Sequence, residues 1–140
     1  MKKITLSPNE MLNIIYAGAD VSNASMVWIT NKYNQEPRLC TAKTFEDRKL
    51  VDANQGTIIP AFTFTDIIDI LPKHIMFNDV AYFLTITMDA TGYVITYCTE
   101  HINSTLFSTA SETSILEAGF NMLMWCIDNG FLKQTEDGNN

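Results

Sequence analysis

The sequence predicts an α+β fold: a mostly antiparallel sheet of four to five strands, with two longer helices and one short helix packed on one side. Three observations support this. A capped amphipathic helix stands near each end of the chain, the segments Tyr82–Met88 and Tyr93–Thr99 have the composition of paired strands, and between the helices the order is two strands, a short helix and two or three strands.

The first helix is expected over roughly residues 8 to 17. Ser7 is its cap, Pro8 suits the first helical position and Glu10 completes a capping box. Leu6 and Met11 have the spacing of a hydrophobic staple; Met11, Leu12, Ile14 and Ile15 form the apolar stripe, and Gly18 supplies a left-handed stop. Met26 to Tyr33 is rich in β-formers, and beyond the polar Asn34–Pro37 segment Arg38 to Ala42 returns as an antiparallel partner. Residues 43 to 57, with the charged run Glu46-Asp47-Arg48-Lys49, read as a long surface connection.

From Ile59 a strand end feeds a short helix. Thr63 caps it, Asp66 lies in its first turn near the positive end of the helix dipole, Phe62 staples onto Ile67, and Pro72 stops it at Leu71. Tyr82–Met88 and Tyr93–Thr99 form a hairpin across the four-residue loop Asp89-Ala90-Thr91-Gly92. Alternation puts Tyr82, Leu84, Ile86 and Met88 on one face, expected to be the core face, and Phe83, Thr85 and Thr87 on the other. A further short strand is expected around Ile102 to Phe107. The last helix is expected to start at a Thr109 cap with Glu112 three residues on, to carry Leu116, Phe120, Leu123 and Ile127 widened by Ile115, Gly119 and Met124, and to stop at Asn129-Gly130. Residues 1–133 read as a single domain and residues 134–140 as a polar, frayed tail.

The chain has 140 residues, 46% hydrophobic, 11% aromatic and 18% charged, which suits one well-formed core. Its longest apolar runs, such as Met122 to Ile127, fall far below the roughly 18 residues of a membrane span. Asn9, Glu10 and Asn13 interrupt any apolar segment behind Lys2 and Lys3, so no leader and a cytoplasmic location are expected. Cys40, Cys98 and Cys126 are an odd, widely spaced set, read as buried thiols of a reducing compartment. The net charge of −7 is uneven: residues 1 to 49 hold seven Lys/Arg against five Asp/Glu, residues 50 to 132 one Lys against nine acids. The acidic part repels phosphates, so no nucleic-acid partner is expected; its acids read as a solvated surface, with a basic partner as the alternative.

No cofactor, metal or catalytic residue is assigned. Cys98-Thr99-Glu100-His101 is the only close Cys/His pair and lacks the second pair that zinc wants. Cys98 on a strand and Cys126 on an apolar helix read as inert thiols rather than as nucleophiles beside a base. Asp66 and Asp69, three apart on one helix, read as a solvated helix surface, and the scattered glycines form no phosphate loop.

The Ile59-Pro60-Ala61-Phe62-Thr63 entry, the Ile67 to Pro72 ending and the Met122 to Leu132 run together resemble small uncharacterised proteins of bacterial phages and mobile elements. In these, "PAFT…LLP" precedes a β-hairpin and "A…WLIENGFL" closes the chain. The resemblance covers roughly residues 57 to 132, with a looser match in the first helix. Cys126 stands where a leucine is usual, and Asp128 where an acid or other polar residue is common. The resemblance implies a genomic setting and no activity.

The function expected is that of a non-enzymatic protein-interaction protein of phage or mobile-element origin. Its interaction surface is the sheet face carrying Phe83, Thr85, Thr87, Val94 and Thr96, or else the acidic half of the chain, and its partner is another protein or a second copy. One version is an acidic inhibitor that occupies a basic nucleic-acid-binding surface on a host protein. The alternatives are a small hydrolase or transferase with a site near Asp69, His74 or His101, and a structural subunit of a phage assembly.

Overall fold

The first helix forms where its caps predict. In the computed structural model, which describes residues 3–31, 36–42 and 56–132, α1 (Pro8–Tyr16) starts from a complete capping box. The Glu10 amide donates to Ser7 Oγ at 3.2 Å, and the Ser7 amide donates to Glu10 Oε1 at 2.8 Å. Leu6 and Met11 are both fully buried, as a staple requires.

The strands form two antiparallel sheets rather than the single sheet predicted. In the first, β1 (Met26–Asn31) lies between β2 (Arg38–Thr41) and β3 (Gly56–Ala61). The expected hairpin of β1 and β2 is present. Gly56 and Thr57 belong to β3 rather than to a connection, pairing with Asn31 and Thr30. The rest of the predicted 43–57 connection, Tyr33 and the predicted 134–140 tail lie outside the described residues. From β3 the chain passes directly into α2 (Phe64–Ile70), followed by Pro72, so the next strand begins beyond that helix and joins a different sheet.

The second sheet is a meander of β4 (His74–Phe77), β5 (Val80–Asp89), β6 (Gly92–Cys98) and β7 (Thr105–Ser111), in that spatial order. β4 is absent from the sequence expectation. It is closed onto β5 by Asn78 and Asp79, both at positive φ (52° and 65°), a two-residue turn these side chains tolerate. The β5–β6 turn is also tighter than predicted: Asp89 pairs with Gly92, leaving a two-residue loop. Gly92 sits at φ 130°, and a Cβ there would stand 2.3 Å from the Ser111 carbonyl oxygen, so a side chain would force the end of β7 away.

β7 takes in Thr109, which the sequence predicts as a helix cap. Two Ser/Thr-x-x-Glu signatures stand close together, Thr109–Glu112 and Ser114–Glu117. Pairing of Thr109 and Ser111 with Ile95 and Tyr93 holds the first in the sheet, and Ser114 caps α3 (Ile115–Asp128) by accepting from the Glu117 amide at 3.1 Å. Among the described residues α1, α2 and α3 have nine, seven and fourteen residues, and of these only α3 is long. They do not share one sheet: α1 lies against β3, while α3 packs on β6 and β7.

One core nevertheless joins the sheets. Met11 and Ile14 of α1, Phe62 and Ile67 around the start of α2, Ile95 and Tyr97 of β6, and Met122, Leu123 and Cys126 of α3 are all buried in it. Each large apolar side chain buried this way contributes about 1.5–3 kcal/mol. The Tyr97 hydroxyl, deep in this core, donates to the Pro72 carbonyl at 2.7 Å. The predicted core face of β5 is only partly covered: Tyr82 and Leu84 are half-buried, but Ile86 is 39% and Met88 71% exposed. α3 lies over β6 and β7, and the far half of β5 extends beyond it.

Candidate functional site

α3 fixes which face of the second sheet is inward. The Phe107 ring stacks on Trp125 of α3 at 4.4 Å, and Thr109 Oγ1 donates to the Ala118 carbonyl of the same helix at 2.8 Å. Their neighbours along each strand therefore face away. The register gathers these into an outer face, with Phe83 beside Cys98, Thr85 beside Thr96 and Thr87 beside Val94. Thr96 in turn lies beside Ser108, and Val94 beside Ala110.

Phe83, Thr85, Thr87, Val94 and Thr96, the residues singled out from sequence, all lie on this face. His74 and Met76 of β4 extend it beside Phe83 and Ala81. Sequence reasoning misses them because it misses β4; the Asn78-Asp79 turn signal was the means of finding them. Met76 is 58% and Phe83 40% exposed, and Thr87, Ser108 and Ala110 are exposed as well. The His74 and Phe83 rings lie 6.2 Å apart.

Two features give this face its chemistry. Its strand positions from His74 to Ala110 carry no Asp, Glu, Lys or Arg until Asp89 at the hairpin end, where hydrogen bonds from the Thr91 hydroxyl and amide hold the carboxyl below its usual range. Three of its hydroxyls, those of Thr85, Thr96 and Ser108, already have partners. Thr96 Oγ1 and Ser108 Oγ lie 2.9 Å apart, and Thr85 Oγ1 donates to the Phe83 carbonyl at 3.3 Å while touching Cys98 Sγ at 3.4 Å. Covering such a face strands few donors, which removes the main cost of burying polar groups.

The other candidate groups fall elsewhere. Asp66, predicted on a solvated surface, is instead buried. It accepts from the Ser25 amide at 2.9 Å, the Ser25 hydroxyl at 2.6 Å and the Thr63 amide at 2.9 Å, because closing the α2 cap turns its carboxylate toward the chain entering β1. Asp69, His74 and His101 are exposed, on α2, on β4 and after β6 respectively. Among the described residues no three His, Cys, Asp or Glu side chains converge as a metal site would require. Cys98 and Cys126 are buried, whereas Cys40 is only half-buried. Burial pushes the Cys126 thiol up to about 11, against a smaller lowering by its hydrogen bond with Tyr97. A thiol so raised is a poor nucleophile at neutral pH.

Two clefts are found among the described residues. One of about 390 Å³ lies between α1, the start of β6 and the start of α3, and its charged groups are already engaged: Lys3 Nζ lies 2.6 Å from Glu10 Oε1, and Ser111 Oγ donates to Glu117 Oε1 at 2.8 Å. The other, about 410 Å³, is a shallow depression over Ala19–Ala24, Val27, Ala42 and Pro60.

No family model, curated protein or solved structure matches the chain. No helix among the described residues is long and apolar enough to cross a membrane.

Proposed function

We propose that the chain is a non-catalytic protein-interaction domain that docks through the outer face of the β4–β7 sheet. The observation that carries this is the surface opposite α3, charged only at Asp89 on its edge and with Thr85, Thr96 and Ser108 hydrogen-bonded within it, from which Phe83 and Met76 stand out. Exposed apolar groups among satisfied polar ones suit a surface that is covered by another protein. The sequence resemblance over residues 57–132 supports an origin on a phage or mobile element.

Site-specific photo-crosslinking tests the reading. A benzophenone side chain introduced at Thr87, on the outer face, is expected to give a discrete protein adduct in the native host, whereas one at Asp69 on α2 is not. Equal yields at both positions, or no adduct from Thr87, would sink it.

A further inference from the structure

Resting on that docking face, we infer that its occupant is a second copy of this chain, packed face to face about a two-fold axis. The first argument is charge. The chain carries −7, concentrated in residues 50 to 132, and the one acid on the outer face is Asp89 at the hairpin end, so two copies meet over the rest of that face without bringing acid against acid. A basic partner would find only Asp89, at the edge of this face, to pair with and would be drawn to the more numerous acids elsewhere.

The second argument is relief. In a two-fold contact the same patch serves both partners, so its bulky and small regions must be complementary. His74, Met76 and Phe83 crowd one corner of the face, and Ser108 and Ala110 of β7 occupy the diagonally opposite region. A two-fold axis along the other diagonal lays the bulky corner of each copy over the small one of its partner, with the strands crossing near the orthogonal angle of about 90° known for packed sheets.

The third argument is area. Four strands about 4.8 Å apart and about seven residues long make a footprint near 19 by 23 Å, or about 1,000 Å² of accessible surface for the pair once side-chain relief is included. That lies at the lower bound for a specific interface. The dimer is therefore weak and depends on concentration.

Sedimentation velocity of the full chain from about 1 µM to several hundred µM reads this directly, a span that brackets a weak interface of this size. The expected result is a mass that rises from 15.8 kDa toward twice that value. Thr96→Arg at the centre of the face and Ala110→Arg at its exposed small corner are each expected to shift the midpoint at least about tenfold, the effect of about 1.4 kcal/mol. Ala110 is exposed, so its variant keeps the test valid if Thr96→Arg fails to fold. Because Thr96 lies near the axis, mixing Thr96→Arg with Thr96→Glu is expected to restore association. A monomer at every concentration, or a dimer indifferent to both arginine variants, overturns the inference. A monomer whose Thr87 photo-adduct contains a different protein overturns the second copy and leaves the docking face standing; the absence of any adduct overturns both.

Discussion

Asp66 is the residue whose role differs most from its appearance in the sequence. Two acids three apart on a short helix look like a solvated surface, and Asp69 is one. Asp66, with the same local spacing, closes the α2 capping box and also holds Ser25 through two hydrogen bonds, an interaction spanning 41 positions of chain. Local spacing gives the cap, but it carries no information about the distant partner, so burial at this position was not legible. Hydrogen bonds to a buried charged group contribute more than neutral ones, and Asp66→Ala removes three while leaving the Ser25 and Thr63 donors unpaired. The expected loss is about 2–4 kcal/mol in urea unfolding, and Ser25→Ala, which removes only the hydroxyl donor, is expected to cost about 1 kcal/mol. Equal costs for the two would show that the carboxylate contributes nothing beyond its contact with the Ser25 hydroxyl.

At the scale of elements, signals within one segment were readable and signals that compete were not. The caps of α1 and α2 are where the sequence predicts them, because Ser7 and Thr63 each have an acid three residues on and no rival nearby. α3 begins five residues later than predicted, because the Thr109 signature lies in a segment whose alternation also suits a strand, and pairing with β6 prevails. β4 was missed because four residues give too short a run for alternation to register. Alternation put the five candidate residues on one face, but it could not say how far the helix layer reaches, and so Ile86 and Met88 were wrongly counted as core. The approach of α2 to α3 was likewise invisible. A Cβ on Gly119 would stand 3.2 Å from the Phe64 ring and 3.4 Å from Ile67 Cγ2, so the absence of a side chain lets the helices close. Gly119→Val must push α2 outward and is expected to destabilise by about 1–3 kcal/mol despite replacing a glycine within a helix. Gly119→Ala, where a smaller shift of Phe64 meets a gain in helix propensity, is expected to cost far less, and thermal unfolding of the two variants separates overpacking from any general sensitivity of the site.

For the whole molecule, the open question is whether two sheets make two folding units. Sheet topology alone suggests that they do, since no strand pairing among the described residues connects them. The side chains favour the opposite. Leu6 and Met11 are in the same buried cluster as Ile95, Tyr97 and Leu123, and Phe62, at the exit from β3, belongs to it as well. Neither sheet can therefore melt without opening the core that the other needs, and chains of this size usually unfold in one step when they share a core. The two tryptophans allow a direct check because they report from different halves. Trp28 sits on β1 and donates its Nε1–H to the Leu6 carbonyl at 2.8 Å, while Trp125 on α3 packs against Phe107 and Phe131. In Trp125→Phe the remaining emission follows the first sheet, and in Trp28→Phe it follows the helix-covered second sheet. Each variant loses stability to a different extent, so the comparison is made within each protein: the fluorescence midpoint in urea is expected to coincide with the midpoint from far-ultraviolet circular dichroism in both. Were Trp28 fluorescence to change at lower urea than the circular dichroism of the same variant, the first sheet would be a separable unit and the shared core too weak to couple it.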